Sequence, residues 1–287
     1  MKKFFVITNK DRDLGSEIAI KITEYLRGRG CSCDHVAIER DSEPDSKEIQ
    51  RIREIDNDTE AVLVLGGDGT FIQSARILAP KQIPMIGVNL GHLGYLAEID
   101  KEKITPALER LINDEYTVVT RMMLSGTPVI EGKETGSCYA VNDIVARTSD
   151  SGVGKFCIEV NGTYLTTISA DGIIVATPTG STAYNMSAGG PIVEPGSAMI
   201  VLTPICPLEV VSRSVVLSAA DTIVIKMMKP SGRQTRVTRV YFDGISDQTL
   251  SSEDELVIRK AEAAIRLIKL NKESFLEVLS RKMNARH

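Results

Sequence analysis

The stretch Ala61-Val62-Leu63-Val64-Leu65-Gly66-Gly67-Asp68-Gly69-Thr70 joins five consecutive apolar residues to a glycine-rich turn. An uninterrupted apolar run of this length is typical of a strand that is buried on both faces of a parallel sheet. A helical pattern follows at Phe71–Leu78, and a second buried strand is predicted at Pro84–Val88. Strands that alternate with helices in this way indicate an open α/β sheet.

The same alternation extends outward from this stretch. The predicted elements are the strand Phe4–Thr8, the helix Gly15–Arg29, the strand His35–Ile38, the helix Ser46–Ile55 and, downstream, the helix Thr105–Ile112. Their apolar residues recur at helical spacing or form short runs, which sets the two kinds of element apart. We therefore expect an α/β domain with an open, mostly parallel sheet over residues 1–116.

Short strands replace helices after Tyr116. The predicted strands are Thr117–Arg121, Ser137–Ala146, Phe156–Val160, Ile173–Thr177, Met199–Thr203, Val215–Leu217, Thr222–Met227, Thr235–Phe242 and Glu255–Arg259. Turn signals such as Asn161-Gly162 join them. The next strong helical pattern is Ser274–Met283, where the residues predicted to share one face are Phe275, Val278, Leu279 and Met283. These patterns predict a β-rich domain over residues 117–271 and a final helix, in 272–287, that stands outside it and returns to the first domain.

The composition of the chain excludes some classes of function. The chain has 287 residues, of which 43% are apolar and 25% charged, and its net charge is −4. A slightly acidic chain lacks the basic face that nucleic acid requires, and no apolar run approaches the roughly 18–20 residues of a membrane span. The five cysteines form no Cys-x-x-Cys pair and have no His at metal-ligand spacing, which indicates reduced thiols. We therefore expect a cytoplasmic protein that binds neither nucleic acid nor membranes.

The glycines are clustered: fourteen of the 22 lie in segments 66–94 and 152–196. Clustered glycines mark sharp turns or places where a ligand approaches the backbone closely. In the first segment Gly66, Gly67, Gly69 and Thr70 lie between a strand and a helix, where backbone N–H groups bind phosphate. The carboxylate of Asp68 would repel phosphate there unless it binds a metal or accepts a proton from an attacking hydroxyl. The alternative is a tight turn with a locally hydrogen-bonded Asp68.

A second glycine loop, Asn89–Leu96, follows the strand at Pro84–Val88. Both loops should emerge at one edge of the sheet, outside the carboxyl ends of the strands, where α/β proteins bind ligands. In this loop His92 is either a base or, more commonly for a lone histidine, a hydrogen-bonded structural residue. Tyr95 and Leu96 either form an apolar wall against a flat ring or belong to the core.

In the second glycine segment, Ser169–Pro191, a buried strand runs into a loop of small and hydroxyl residues. Such a loop offers hydrogen bonds without bulk; the alternative is a generic Ser/Thr turn. Tyr184 could stack on a base, and Asp171 could accept from an amide group.

Upstream of that loop, Asn142-Asp143 interrupts an otherwise apolar strand. Asn and Asp are depleted in strands, and a carboxylate beside an amide suits a ribose diol. The alternative is a bulge or a strand-end cap. Lys155 is a weak candidate for a phosphate contact. Five basic residues could meet a triphosphate, although a solvated strand face is the favoured interpretation: Lys226, Lys229, Arg233, Arg236 and Arg239.

Together these motifs resemble those of the NAD kinases, over essentially the whole chain. The shared motifs, in the same order and at similar separations, are Gly66–Thr70, Gly91–Leu96, Asn142-Asp143 and Thr177-Pro178-Thr179-Gly180-Ser181-Thr182-Ala183-Tyr184. The Gly-Gly-Asp-Gly-Thr element also occurs in diacylglycerol-type lipid kinases and, in similar form, in phosphofructokinases. The Thr177–Tyr184 stretch, followed by Ser187-Ala188-Gly189-Gly190-Pro191, distinguishes the NAD kinases.

The resemblance implies transfer of the γ-phosphoryl group of ATP to the 2′-hydroxyl of the adenosine ribose of NAD, giving NADP, with a divalent cation, Mg²⁺, as cofactor. It makes Asp68 the proton acceptor and the loop of Gly66, Gly67, Gly69 and Thr70 the phosphate-binding loop. The residues it assigns to NAD are Asp68, Gly69, Tyr95, Asn142, Asp143, Lys155, Asp171, Thr179, Thr182, Ala183, Tyr184, Asn185, Met186 and Ser187. It also implies a cytoplasmic homodimer or homotetramer with a sandwich-like second domain and an active site in the cleft between the domains.

Four positions depart from the family pattern: Asp143 replaces a usual Glu, Leu208 a frequent His, Ile245 a frequent Gln and Ser169 a frequent basic residue. These departures bear on affinity and subunit contacts more than on the reaction. Two alternatives stay open at this point. A diacylglycerol- or sphingosine-type lipid kinase predicts a membrane-facing surface, and a non-catalytic dinucleotide-binding regulator predicts loss of the acid that Asp68 supplies.

Overall fold

The computed structural model describes residues 1–39, 42, 45–91, 94–149, 152–209, 212–229, 237–271 and 273–284. The chain divides into two compact units. The first unit comprises Met1–Arg121 together with Ala263–His287, and the second comprises Met122–Glu262. The two boundaries fall inside two long strands, Thr117–Ile130 and Glu255–Lys269.

Strands and helices alternate in the first unit. Its elements, in chain order, are β1 (Lys3–Asn9), α1 (Glu17–Gly28), β2 (Ser32–Ile38), α2 (Lys47–Arg53), β3 (Ala61–Gly66), α3 (Asp68–Leu78), β4 (Met85–Asn89), β5 (Ala97–Asp100) and α4 (Ile104–Ile112). The strands pair in the order β2-β1-β3-β4-β5, all parallel. The predicted open parallel sheet is thus confirmed, and the strand β5 is an addition to it.

The strand order reverses between β1 and β3, because β2 lies on the far side of β1. Such a reversal leaves a crevice at the carboxyl ends of the two central strands, and ligands bind there in open α/β sheets. Every residue of β3 is buried. Its side chains pack on both faces of the sheet, as the apolar run at Ala61–Leu65 predicts.

The second unit consists almost entirely of strands. Its elements are β6 (Thr117–Ile130), β7 (Lys133–Glu134), β8 (Cys138–Ala140), β9 (Asp143–Thr148), β10 (Gly154–Val160), β11 (Thr163–Ala170), β12 (Gly172–Ala176), α5 (Tyr184–Ser187), β13 (Met199–Ile205), β14 (Val215–Ser218), β15 (Ile223–Met227), β16 (Thr238–Phe242), β17 (Ile245–Leu250) and β18 (Glu255–Lys269). One antiparallel sheet has the order β14-β13-β12-β9-β16-β17, and another contains β11-β10-β15-β18.

One hydrophobic core serves both of these sheets. It includes Phe156 and Ile225 from one sheet and Ile173, Val175 and Phe242 from the other, each at most 3% exposed. Two sheets that share a core in this way form a sandwich, so the sandwich-like domain is also confirmed.

The chain ends with α6 (Phe275–Asn284), which belongs to the first unit. Its half-buried stripe is Phe275, Val278, Leu279 and Lys282. The predicted stripe was wrong at its last position, because Met283 is 63% exposed. Residues spaced i, i+3, i+4 and i+7 share a helix face, so the stripe that begins at Phe275 continues to position 282. No helix in the described part of the chain is long and apolar enough to cross a membrane.

The predicted strand Ser137–Ala146 is two strands, β8 and β9, with a break at Val141 and Asn142. The side chain of Asp243 causes this break. Its carboxylate accepts hydrogen bonds from the backbone N–H groups of Val141, Asn142 and Asp143, at 2.8, 2.7 and 3.2 Å. These groups are therefore satisfied by a side chain at the point where the predicted strand is interrupted.

Candidate active site

The loop after β3 places Asp68 in the first turn of α3. Gly67 is the N-cap, so α3 begins three residues before the predicted start at Phe71. A Cβ at Gly66 would lie 2.7 Å from the hydroxyl oxygen of Thr70, which makes glycine necessary there. Thr70 is 5% exposed, and its hydroxyl accepts a hydrogen bond from Asn9 at 3.3 Å. The side chain of Thr70 thus stabilises the loop, in which Gly69 is the exposed residue.

The carboxylate of Asp68 joins the two glycine loops of the first unit. It accepts hydrogen bonds from the backbone N–H groups of Tyr95 and Leu96, at 2.8 and 3.1 Å. A Cβ at Gly94 would overlap this carboxylate. The two loops therefore meet at one residue, as their shared position at the carboxyl ends of β3 and β4 predicts. His92 lies outside the described residues.

Two further residues complete this site, one at the end of β1 and one in the loop that follows, and sequence reasoning missed both. Asn9 is 6% exposed; its side-chain oxygen accepts from the N–H groups of Asp11 and Arg12, and its amide donates to Thr70. It ties the loop after β1 to the loop after β3. The guanidinium of Arg12 then lies against both glycine loops: a Cβ at Gly67 would be 3.8 Å from its Cζ, and a Cβ at Gly91 would overlap its Nη1. Their place at the end of β1 becomes informative only once the strand order is known, because the reversal lies between β1 and β3.

The final helix brings a second cation to the same loops. The ammonium group of Lys282 lies 3.2 Å from the centroid of the Tyr95 ring. Burial lowers the pKa of Lys282, and the negative charge of Asp68 opposes that shift. Burial also raises the pKa of the Tyr95 hydroxyl, and Asp68 adds to this. Tyr95 is thus a half-buried wall of the site, while Leu96 beside it is 9% exposed and belongs to the core.

The second unit contains a pocket of about 340 Å³. Its lining residues are Asn142, Asp143, Val145, Arg147, Ala183, Tyr184, Tyr241, Asp243 and Gly244. Four of the predicted NAD residues are therefore brought together here. Sequence reasoning missed Arg147, Tyr241 and Asp243, since Asp243-Gly244 gives only a hairpin-turn signal.

Asp143 is the unusual group in this pocket. It is 4% exposed, and burial raises the pKa of its carboxyl group to about 7, with a further contribution from the charge of Asp243. Asp243 has a left-handed backbone, with φ of 53°, and its carboxylate is committed to the backbone N–H groups of 141–143. With this raised pKa, the carboxyl group of Asp143 changes its charge state near neutral pH.

The hydroxyl-rich loop is fastened to the same backbone. Thr177 donates from its hydroxyl to the carbonyl of Val141 at 2.7 Å, and its hydroxyl accepts from the N–H group of Gly180 at 3.0 Å. A Cβ at Gly180 would overlap the carbonyl of Asn142. The loop and the start of β9 are consequently one rigid assembly, with Tyr184 37% exposed at its end.

The other predicted NAD residues of the second unit do not line the pocket. Asn185 is fully buried and holds the loop together, with its amide bonded to the carbonyls of Ser181 and Pro191 and its oxygen to the hydroxyl of Thr203. Thr179 is 9% exposed, and its hydroxyl has no hydrogen-bond partner among the described residues. The remaining members of this group are Lys155, exposed on β10; Asp171, between β11 and β12; Thr182, whose hydroxyl donates to the carbonyl of Thr179; and Met186 and Ser187, both exposed.

The five basic residues after Thr222 are partly accounted for as a solvated face. Lys226 forms ion pairs with Glu159 and Glu255, at 2.8 and 3.5 Å, and Lys229 pairs with Glu253 at 2.8 Å. Arg239 is exposed, whereas Arg233 and Arg236 lie outside the described residues. Within the part of the chain that the structure describes, no three His, Cys, Asp or Glu side chains come together as metal ligands.

The two domains of one protein family match the chain in succession. The ATP-NAD kinase N-terminal domain matches residues 8–116, and the ATP-NAD kinase C-terminal domain matches residues 142–270. The NAD kinase of Lachnospira eligens is 41% identical, over 99% of this chain and 100% of its own length. The NAD kinase of Caldanaerobacter subterraneus is 37% identical over 100% of both chains.

Two solved structures share the fold. Yeast NADH kinase complexed with NADH superposes with a TM-score of 0.86 at 23% identity, covering 100% of this chain and 89% of the yeast chain. An NAD kinase from Archaeoglobus fulgidus in complex with ATP superposes with a TM-score of 0.75 at 22% identity, covering 97% and 98% of the two chains. The two-unit architecture is therefore that of these kinases.

Proposed function

Because this chain belongs to the ATP-NAD kinase family, we propose that it transfers the γ-phosphoryl group of ATP to the 2′-hydroxyl of the adenosine ribose of NAD, giving NADP and ADP. The observation that carries the proposal is the position of Asp68. Its carboxylate lies in a glycine loop built for phosphate, at the carboxyl end of β3, and is oriented by two backbone N–H groups.

On the acceptor side, Asp68 orients the ribose hydroxyl and takes its proton. The hydroxyl oxygen forms a bond to the γ-phosphorus, the bond from that phosphorus to the β–γ bridging oxygen breaks, and ADP leaves with the electron pair. The proton passes to a carboxylate oxygen of Asp68 and then to solvent. Since the transition state of phosphoryl transfer is loose, positioning contributes more than the strength of the base.

On the donor side, the triphosphate meets the N–H groups at the start of α3, through Gly67 and Gly69, and the guanidinium of Arg12. An arginine binds phosphate oxygens with two parallel donors, and a helix start adds its dipole. The strand-order reversal between β1 and β3 supports this assignment, because both loops follow those strands.

The same loop fits a divalent cation, which we propose to be Mg²⁺. Mg²⁺ in phosphoryl-transfer sites is held by one or two carboxylates, by substrate phosphates and by water. Asp68 is the carboxylate that the loop itself offers, and the cation would supply neutralisation of charge on the transferred group.

NAD recognition is assigned to the second unit. We expect Asn142 and Asp143 to bind the adenosine ribose, and Tyr184 to stack on a ring, because all three line the pocket. Thr179 is also proposed to bind the ligand. Its hydroxyl is buried and has no hydrogen-bond partner among the described residues, so a ligand can supply that partner. Asp171 and Ser187 are proposed to lie near the nicotinamide carboxamide, and Thr182 and Ala183 beside the adenine and nicotinamide rings.

We further propose a cytoplasmic homo-oligomer, a dimer or a tetramer. All five cysteines are free thiols, which suits a reducing compartment. Leu208, at a position where relatives often have His, is 66% exposed, and this apolar side chain is available to a second copy of the chain.

The direct test is to incubate the purified protein with ATP, Mg²⁺ and NAD, and to assay NADP with an NADP-specific dehydrogenase. We expect NADP to accumulate in proportion to enzyme. Failure to form NADP with any divalent cation, together with phosphorylation of diacylglycerol vesicles, would overturn the proposal in favour of a lipid kinase. Tight NAD binding without turnover would instead indicate a dinucleotide-binding regulator.

A further inference from the structure

A lysine occupies an apolar position of the final helix. Phe275, Val278 and Leu279 form the half-buried stripe of α6, and the fourth member of that stripe is Lys282. Met283, the next residue, is 63% exposed. Packing alone would favour the reverse arrangement, with the methionine inside and the lysine in water, because a buried ammonium group loses hydration.

The charge of Lys282 is directed at the phosphoryl-transfer loop. Its ammonium lies 3.2 Å from the centroid of the Tyr95 ring, and the N–H group of Tyr95 donates to Asp68. None of the carboxylates in the described residues forms an ion pair with it, although Asp68 is close enough to affect its protonation. An ammonium over an aromatic face recovers part of the lost hydration. Lys282 is therefore a partly desolvated cation beside the reactive carboxylate.

A transferred phosphoryl group would need such a cation. Its three equatorial oxygens carry negative charge, and they must come close to the negative Asp68. Arg12 lies on the side of Gly67 and Gly91, whereas Lys282 lies on the side of Tyr95. A lysine on a flexible four-carbon stem can leave an aromatic ring for a phosphate oxygen while its helix stays in place.

We propose that Lys282 is a phosphate-binding residue of the active site, which rests on the Tyr95 ring in the free protein and binds the transferred phosphoryl group of the donor at Asp68. The inference rests on the proposed kinase reaction and deepens it. The competing role is a structural one, in which Lys282 fastens α6 to Tyr95 and never contacts substrate.

The test compares Lys282→Met, Lys282→Arg and Arg281→Met with the wild-type full-length chain. Methionine retains the apolar stem, and arginine retains the charge. Arg281 is the matched control: it is adjacent on the same helix, and its guanidinium is ion-paired with Glu273 at 2.7 Å. Steady-state kinetics give kcat and KM for ATP and for NAD, and thermal unfolding is followed with and without inorganic tripolyphosphate.

We expect Lys282→Met to lower kcat/KM for ATP about tenfold or more, the scale of a hydrogen bond to a charged group. The KM for NAD and the Tm of the free protein should stay close to those of Arg281→Met. Tripolyphosphate should raise the Tm of the wild type more than that of Lys282→Met, and Lys282→Arg should recover most of the activity.

Two results would overturn the inference. One is a kcat/KM for ATP in Lys282→Met equal to that of Arg281→Met. The other is a loss of activity matched by a loss of Tm, with equal stabilisation of both proteins by tripolyphosphate, which establishes the structural role. A wild-type protein that forms no NADP contradicts the kinase reaction itself, so the two failures are distinct.

Discussion

Asp68 has a fixed orientation before any substrate binds. The N–H groups of Tyr95 and Leu96 donate to its two carboxylate oxygens at 2.8 and 3.1 Å. Asp68→Asn retains the size of the side chain but removes the proton acceptor and one of the two oxygens that accept from backbone N–H groups, so we expect kcat to fall about a hundredfold or more, as for other general bases. The dissociation constant of NAD, measured by calorimetry, should change little.

The control for this variant is Asp11→Asn, an exposed carboxylate in the neighbouring loop, which should leave kcat unchanged. If Asp68→Asn weakens NAD binding by the same factor as it lowers kcat, Asp68 is a binding residue and does not accept the proton.

Asp143 predicts a pH dependence of stability. Its carboxyl group has a pKa of about 7 in the folded chain, raised by burial, against an ordinary value of 3.8. Between these values the unfolded chain is ionised at this group and the folded chain is protonated, so this group reduces the free energy of unfolding as pH rises from about 4 to about 7. Above pH 7 the buried negative charge remains as a constant penalty.

Asp143→Asn removes that penalty. We therefore expect the Tm of the ligand-free variant to exceed that of the wild type at pH 8, and the difference to shrink as pH falls toward 4. Asp11→Asn again serves as the control. A difference in Tm that is the same at pH 8 and pH 5 would mean that Asp143 does not titrate in this range.

At the scale of elements, the two glycine loops act as one unit because Asp68 joins them. A Cβ at Gly94 would overlap the carboxylate of Asp68, so Gly94→Ala must displace one loop or the other. We expect kcat to fall about tenfold or more, since small displacements of reacting groups have effects of this size. Gly28→Ala is the matched control, because a Cβ there meets nothing within 4 Å. Its kcat should equal that of the wild type; a similar fall in both variants would refute the coupling of the loops.

Most elements of the first unit could be predicted from the sequence because their signals are local. Apolar runs and helical spacing locate β1, β3, β4, α1 and α4 to within a few residues. The strands β5, β7, β11 and β17 were missed, since segments rich in polar residues carry no clear period. The break between β8 and β9 falls where Asn142-Asp143 interrupts the predicted strand, but its hydrogen-bond partner Asp243 lies a hundred residues away along the chain and could not be predicted.

The candidate site, too, could be predicted only in part from the sequence. Asp68, Asn142, Asp143 and Tyr184 lie in recognisable motifs and could be found from the sequence. Arg12 and Lys282 could not, because each reaches the glycine loops from a segment distant in sequence: the loop after β1 and the final helix. Such contacts are set by the order of strands and by packing, and a single sequence does not record them.

At the scale of the whole molecule, the groups proposed for the triphosphate and those proposed to stack on NAD lie in different units. Arg12 lies in the first unit with the phosphate loop, and Tyr184 lies in the second with the pocket. Because the net charge is −4, binding of two anionic substrates depends on such local groups and not on a basic surface.

We expect Arg12→Met to raise the KM for ATP about tenfold, the scale of a hydrogen bond to a charged group, with little effect on the KM for NAD. Tyr184→Ala should instead raise the KM for NAD about tenfold, by analogy with the loss of one base-stacking contact, and should have little effect on the KM for ATP. Initial rates over a grid of both substrate concentrations give all four constants. Equal increases of both KM values in either variant would show that the two units do not bind their substrates separately.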